Sequence, residues 1–75
     1  MSQTDPLELI TLHLNGVEQH VRANLNLAEL LILSDLPTQG VAIVVNDTVV
    51  PRSRWMHIVC QADDNITVFS AVAGG

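Results

Sequence analysis

The sequence predicts an α+β domain, one β-sheet packed against a single main helix. Three observations carry this reading. Ile10, Leu12 and Leu14 alternate with polar neighbours ahead of Asn15-Gly16, as in a strand entering a hairpin. Leu27, Leu30 and Leu31 recur at helical spacing. Val41 to Val45 and Ile66 to Ser70 then supply apolar runs of strand length. A hairpin crossed by a helix and followed by more strands closes as two layers around one core. Seventy-five residues leave no room for a second core.

Composition narrows the function classes. The chain is 48% hydrophobic but only 3% aromatic, so its core is expected to be built from Leu, Ile and Val. Three Lys+Arg against eight Asp+Glu give a net charge of −5. That balance argues against nucleic acid and anionic membranes, which need clustered cations. It suits steering toward a basic protein partner. Cys60 stands alone and has no basic neighbour in sequence to lower its pKa, so it is expected to be buried as a small hydrophobe. His13, His20 and His57 have no ligand spacing with one another, and no metal site is expected. Serine nucleophile motifs, phosphate loops and paired catalytic carboxylates are absent, so no catalytic residue is assigned. The first residues lack the basic and apolar regions of a signal peptide, and no apolar run approaches membrane-spanning length. The expected address is cytoplasmic.

Taken in order, residues 1 to about 8 are mostly polar, contain Pro6 and show no period, and residues 1–9 are expected to form a flexible arm before a domain at 10–71. The first strand ends at Asn15-Gly16, a pair that tolerates positive φ. The return strand covers Val17 to Ala23, with Val17 and Val21 facing inward and Glu18, His20 and Arg22 facing water. Asn26 caps a helix over Leu27 to Leu36, Glu29 completes a capping box, and Pro37 forbids continuation. Ile32 and Leu33 project from the opposite side of that helix, for burial under a neighbouring loop or for contact with a partner. Val41 to Val45 reads as a central strand. Asn46-Asp47 is a turn, Thr48 to Val50 a short strand, and Pro51 stops it. Trp55 covers a core edge. Arg52 and Arg54 have two open roles, pairing with Asp63 or Asp64, or gripping a partner's carboxylates. Asp63-Asp64-Asn65 turns the chain into the last strand, Ile66 to Ser70.

That strand leads into Ala71-Val72-Ala73-Gly74-Gly75. Residues 72–75 are expected to form an extended tail that carries the Gly75 carboxylate on a stem with almost no side chains. Such a stem reaches on the order of 13 Å when extended. It suits a slot no wider than a backbone.

Three features now stand together: the order of elements, the segment from Asn46 to Trp55 reading Asn-x-x-Val-Val-Pro-Arg-x-x-Trp, and the terminal Ala73-Gly74-Gly75. The set resembles the ThiS family, the ubiquitin-like sulfur carriers of thiamine biosynthesis, from about Ile10 to Gly75. The resemblance implies a ubiquitin-like β-grasp fold, a mixed sheet of four to five strands with the first and last paired in parallel. It implies no catalysis by the chain itself and no bound cofactor. An E1-like, ThiF-type adenylating enzyme would use ATP to convert the Gly75 carboxylate to an acyl-adenylate. A cysteine-derived persulfide would then yield a Gly75 thiocarboxylate, whose sulfur a ThiG-type thiazole synthase incorporates. Phe69, Val72, Ala73 and Gly74 are the implied partner-binding residues, with Arg52 and Arg54 as further contacts. Related sequences commonly carry Asp-Gly-Asp where this chain has Asp63-Asp64-Asn65, which leaves that turn without its glycine.

Two alternatives remain at this point. One is the small subunit of molybdopterin synthase, which tends to carry prolines where Ser70-Ala71 stand here. The other is a non-covalent ubiquitin-like binding module with a loose tail.

Overall fold

Alternating side chains and two-residue turns build most of the sheet. A computed structural model describes residues 8–70. Strand β1 (Leu9–Leu14) returns as β2 (Val17–Arg22), with Leu14 opposite Val17 across the Asn15-Gly16 turn. Both turn residues have positive φ, 53° and 81°, the geometry that matches the right-handed twist of paired strands. The second hairpin repeats this solution. Strands β3 (Val41–Val45) and β4 (Thr48–Val50) meet at Asn46-Asp47, with φ of 50° and 70°.

The fifth strand, β5 (Asn65–Ser70), inserts between the hairpins and gives the order β2-β1-β5-β3-β4. It runs parallel to β1 and antiparallel to β3. The sheet is therefore mixed, with first and last strands adjacent near its centre, as the resemblance implies. Leu12, Leu14, Ile43 and Ile66 turn toward helix α1 (Leu27–Leu33), whose Leu27, Leu30 and Leu31 complete the core with Leu25, Trp55 and Cys60. Leu12, Leu25, Leu31, Ile43 and Ile66 are fully buried. Truncating any one to Ala costs about 2–5 kcal/mol, much of what so small a domain holds.

The helix starts as the sequence predicts. The Glu29 N–H donates to Asn26 Oδ1 at 2.8 Å and the Asn26 N–H to Glu29 Oε1 at 3.0 Å. It ends earlier than Leu36, because Asp35 adopts a left-handed φ of 58°. The Leu36 N–H then reaches back to the Leu31 carbonyl at 2.9 Å and the Asp35 N–H to that of Ile32 at 3.1 Å. This pair of bonds closes a helix C-terminus, with Asp in the place glycine usually takes.

Other expectations need correcting. Val17 lies on the core side by register but is 57% exposed, since it sits at the end of an edge strand. Ile32 and Leu33 are 66% and 65% exposed, so no neighbouring loop among the described residues buries them. Leu9 belongs to β1, and the Glu8 carbonyl accepts the Ala23 N–H at 2.9 Å, so both residues belong to the sheet margin rather than the arm. Residues 1–7 and 71–75, with the rest of the predicted arm and the whole predicted tail, lie outside the described residues.

Candidate functional site

The strand that leads to the chain's last residues is held most firmly at its start. The Asn46 N–H donates to the Asn65 carbonyl and the Asn65 N–H to Asn46 Oδ1, each at 2.9 Å. Asn46 Nδ2 donates to Asp64 Oδ1 at 2.9 Å, and the Gln61 N–H to Asp64 Oδ2 at 2.8 Å. Asp64 is the one buried charged side chain among the described residues. Burial of a carboxylate is tolerable only where donors replace its water, and here an amide and a main-chain N–H do so. The His13 N–H bonds the Asp64 carbonyl at 2.9 Å and the Asp63 N–H the Thr11 carbonyl at 2.7 Å. The turn without glycine is thus tightly held. Its left-handed residue is Asp63, at φ 69°, and Asp64 needs no glycine.

From this anchor β5 alternates. Ile66 and Val68 turn to the core, which leaves Asn65, Thr67 and Phe69 on the face away from the helix. Cross-strand partners share a face, so Phe69 stands beside Ala42, and Thr67 beside Val44, which faces Val49. The result is a largely apolar strip across β5, β3 and β4, in which Phe69 is 45% and Val49 65% exposed. The β1–β2 half of the same face is polar. There Thr11 Oγ1 lies 3.0 Å from His20 Nδ1, and His20 Nε2 lies 3.3 Å from Glu18. Both side chains of the His20–Glu18 contact are exposed, so it adds little stability. Among the described residues no three His, Cys, Asp or Glu side chains gather as metal ligands.

The two arginines part company. Arg54 lines a shallow groove with Val49 and Pro51, at the β4 end of the strip. Arg52 lies 5.5 Å from the centre of the Trp55 ring, within cation–π range. Neither forms an ion pair among the described residues, and Asp64 is engaged by Asn46 and Gln61 instead, so of their two open roles the pairing with Asp63 or Asp64 is not made. Trp55 is buried and donates Nε1–H to the Val50 carbonyl at 3.0 Å. Cys60 is buried as expected. Burial, reinforced by the negative charge of Asp64, pushes its thiol from 9.0 up to about 11.

Of the predicted partner-binding residues, Phe69 lies on the strip, whereas Val72, Ala73 and Gly74 lie outside the described residues, as does Gly75, the predicted modification site. Val49 and Val44 escaped sequence reasoning. The signal for Val49 was its place next to Val50 in a short strand, where only one of two adjacent side chains can face the core.

Comparison with known proteins agrees with this architecture. The model of the ThiS family matches residues 8–75. The sulfur carrier protein ThiS of Escherichia coli (strain K12) is 38% identical over 47 residues, which cover 63% of this chain and 71% of that protein. A crystal structure of the thiamine biosynthesis protein ThiS from Geobacter metallireducens superposes with a TM-score of 0.78. It is 23% identical and covers 88% of this chain and 100% of that one, so it speaks for the fold, the ubiquitin-like β-grasp.

Proposed function

The chain belongs to the ThiS family of sulfur carriers, and from that premise we propose that its Gly75 carboxylate is the atom group that is activated and charged. The observation that carries the proposal is the path of β5. Anchored at Asn46 and Asp64, this strand runs past the apolar strip and directly into Ala71-Val72-Ala73-Gly74-Gly75.

A carboxylate is a poor acyl donor. Attack of Gly75 on the α-phosphorus of ATP, in the active site of an adenylating enzyme, releases pyrophosphate and makes AMP the leaving group. The terminal sulfur of a cysteine-derived persulfide then displaces AMP at the carbonyl carbon. A thiol cleaves the resulting S–S bond and leaves a thiocarboxylate, a soft nucleophile for a thiazole synthase. The carrier contributes no acid or base. It supplies reach, a narrow stem and an identifiable body, while the enzymes supply the positioned groups.

The body is identified through the strip of Phe69, Ala42, Val44 and Val49, with Val72, Ala73 and Gly74 following it into the enzyme. Arg54, at its rim, offers a guanidinium to a partner carboxylate, and the chain's net charge of −5 favours an otherwise basic partner surface. Arg52, stacked on Trp55, extends the same basic segment.

Intact mass spectrometry tests the reading. After incubation with ATP, a cysteine-derived sulfur source and the adenylating enzyme, the mass is expected to rise by the difference between sulfur and oxygen. A chain lacking Gly74 and Gly75 is expected to stay unchanged. No shift, under conditions that charge a known carrier, overturns the proposal. Offering the charged chain to thiazole synthase and to the large subunit of molybdopterin synthase identifies the acceptor.

A further inference from the structure

The parallel pairing of β1 with β5 outlasts the main chain that makes it. In a parallel ladder one residue donates its N–H to the neighbouring strand and accepts, at its own carbonyl, an N–H two residues further along. Asn15 makes the first of these bonds in the ordinary way, its N–H meeting the Ile66 carbonyl at 2.8 Å. It cannot make the second so, because its φ of 53° turns the backbone into the hairpin. The side chain substitutes: Asn15 Oδ1 accepts the Val68 N–H at 2.8 Å.

This bond is the last on that flank of β5 among the described residues. The ladder to β1 comprises His13 opposite Asn65 and Leu14 opposite Ile66, whereas pairing to β3 continues as far as Ser70 opposite Val41. Past Asn15 the strand is held from one side only. Val68 stands two residues before Ser70, so the carboxamide of Asn15 lies close to the last described residues of β5.

We propose that Asn15 is a positioning residue for the activation of the chain's end: its side chain holds Val68 from the β1 side, where the main chain of β1 no longer does, and so fixes the line along which β5 runs toward the chain's end. The inference rests on the proposed charging of Gly75. Turn geometry alone does not account for the residue, since glycine tolerates the same left-handed conformation but offers no acceptor. Aspartate offers both.

That difference supplies the test. Asn15→Gly keeps the turn and deletes the acceptor, Asn15→Asp keeps both, and Val21→Ala on β2 serves as a control destabilised away from β5. Amide-proton exchange at Val68, relative to Ile43, is expected to quicken in Asn15→Gly alone. Loss of one hydrogen bond that water can partly replace predicts a fall of roughly 2- to 10-fold in kcat/KM for adenylation. Asn15→Asp is expected to restore it, and Val21→Ala to leave it unchanged. If Asn15→Gly is adenylated as fast as the parent chain, or Val21→Ala is slowed equally, Asn15 is merely a turn residue and the inference fails. Failure of the parent chain to be adenylated at all would count instead against the charging of Gly75.

Discussion

Replacing Asn46 by glycine keeps the left-handed turn between β3 and β4 but removes two side-chain bonds, one from the Asn65 N–H and one to the Asp64 carboxylate. The first is a neutral bond, worth about 1 kcal/mol net, and the second involves a charge, worth about 1.5–3 kcal/mol. Asp64 is only 8% exposed, so water replaces the lost donor poorly and the upper part of that range applies. Together they predict a loss of about 3–4 kcal/mol. A domain of this size holds roughly 4–11 kcal/mol in all, so the variant is expected to be folded only marginally. Urea unfolding reports the change directly, because Trp55 is the chain's sole tryptophan and is buried. Each kcal/mol should also lower the thermal midpoint by roughly 4–8 °C. A loss below about 0.5 kcal/mol, the scatter of ordinary surface substitutions, would show that the Asn46–Asp64 link does not hold the start of β5.

Two further perturbations separate surface from interior. Val49→Asp puts a charge on the exposed strip, and is expected to leave stability within about 0.5 kcal/mol while weakening binding to the adenylating enzyme by at least about 10-fold. Leu33→Asp on the helix is expected to leave that binding intact, and the reverse pattern would move the docking surface to α1. Cys60 sets a limit at high pH. Its folded-state pKa is raised from 9.0 to about 11, so the stability it contributes is complete below pH 9 and is lost as pH climbs toward 11. Cys60→Ala should remove that part of the slope, and an unchanged profile in denaturant titrations across this window would refute it.

The sequence disclosed elements whose signals are local. Asn15-Gly16 between alternating strands and the reciprocal Asn26–Glu29 cap each lie within a few residues, and both are found as predicted. Signals failed where the deciding residue has no strong preference. Pro37 only bounds the helix, whereas Asp35, taking a conformation expected of glycine, ends it. The exposure of Val17 could not be read from its parity, because parity assigns a face and not a place in the sheet. The parallel pairing of the first and last strands was equally beyond periodicity and came from the resemblance, and the full order of the strands came only with the structure.

The candidate site was less legible for the same reason. Phe69 was found from its neighbours in sequence, but Val49 joins it only through β3, and Asn46 meets Asp64 eighteen positions further along the sequence. The motif from Asn46 to Trp55 marked the family correctly, yet its asparagine and tryptophan bond within the chain's own fold. Asn46 ties β5 to the second hairpin and Trp55 bonds the Val50 carbonyl. Of that segment Val49, Pro51 and Arg54 are exposed beside the strip.

A carrier charged from a persulfide, as proposed for this chain, would face a hazard peculiar to its trade: any accessible thiolate on its own surface would intercept the cargo by exchange, scrambling it into mixed disulfides. This chain has one sulfhydryl, and the core encloses it and holds its proton on. Delivery can therefore go to a single address.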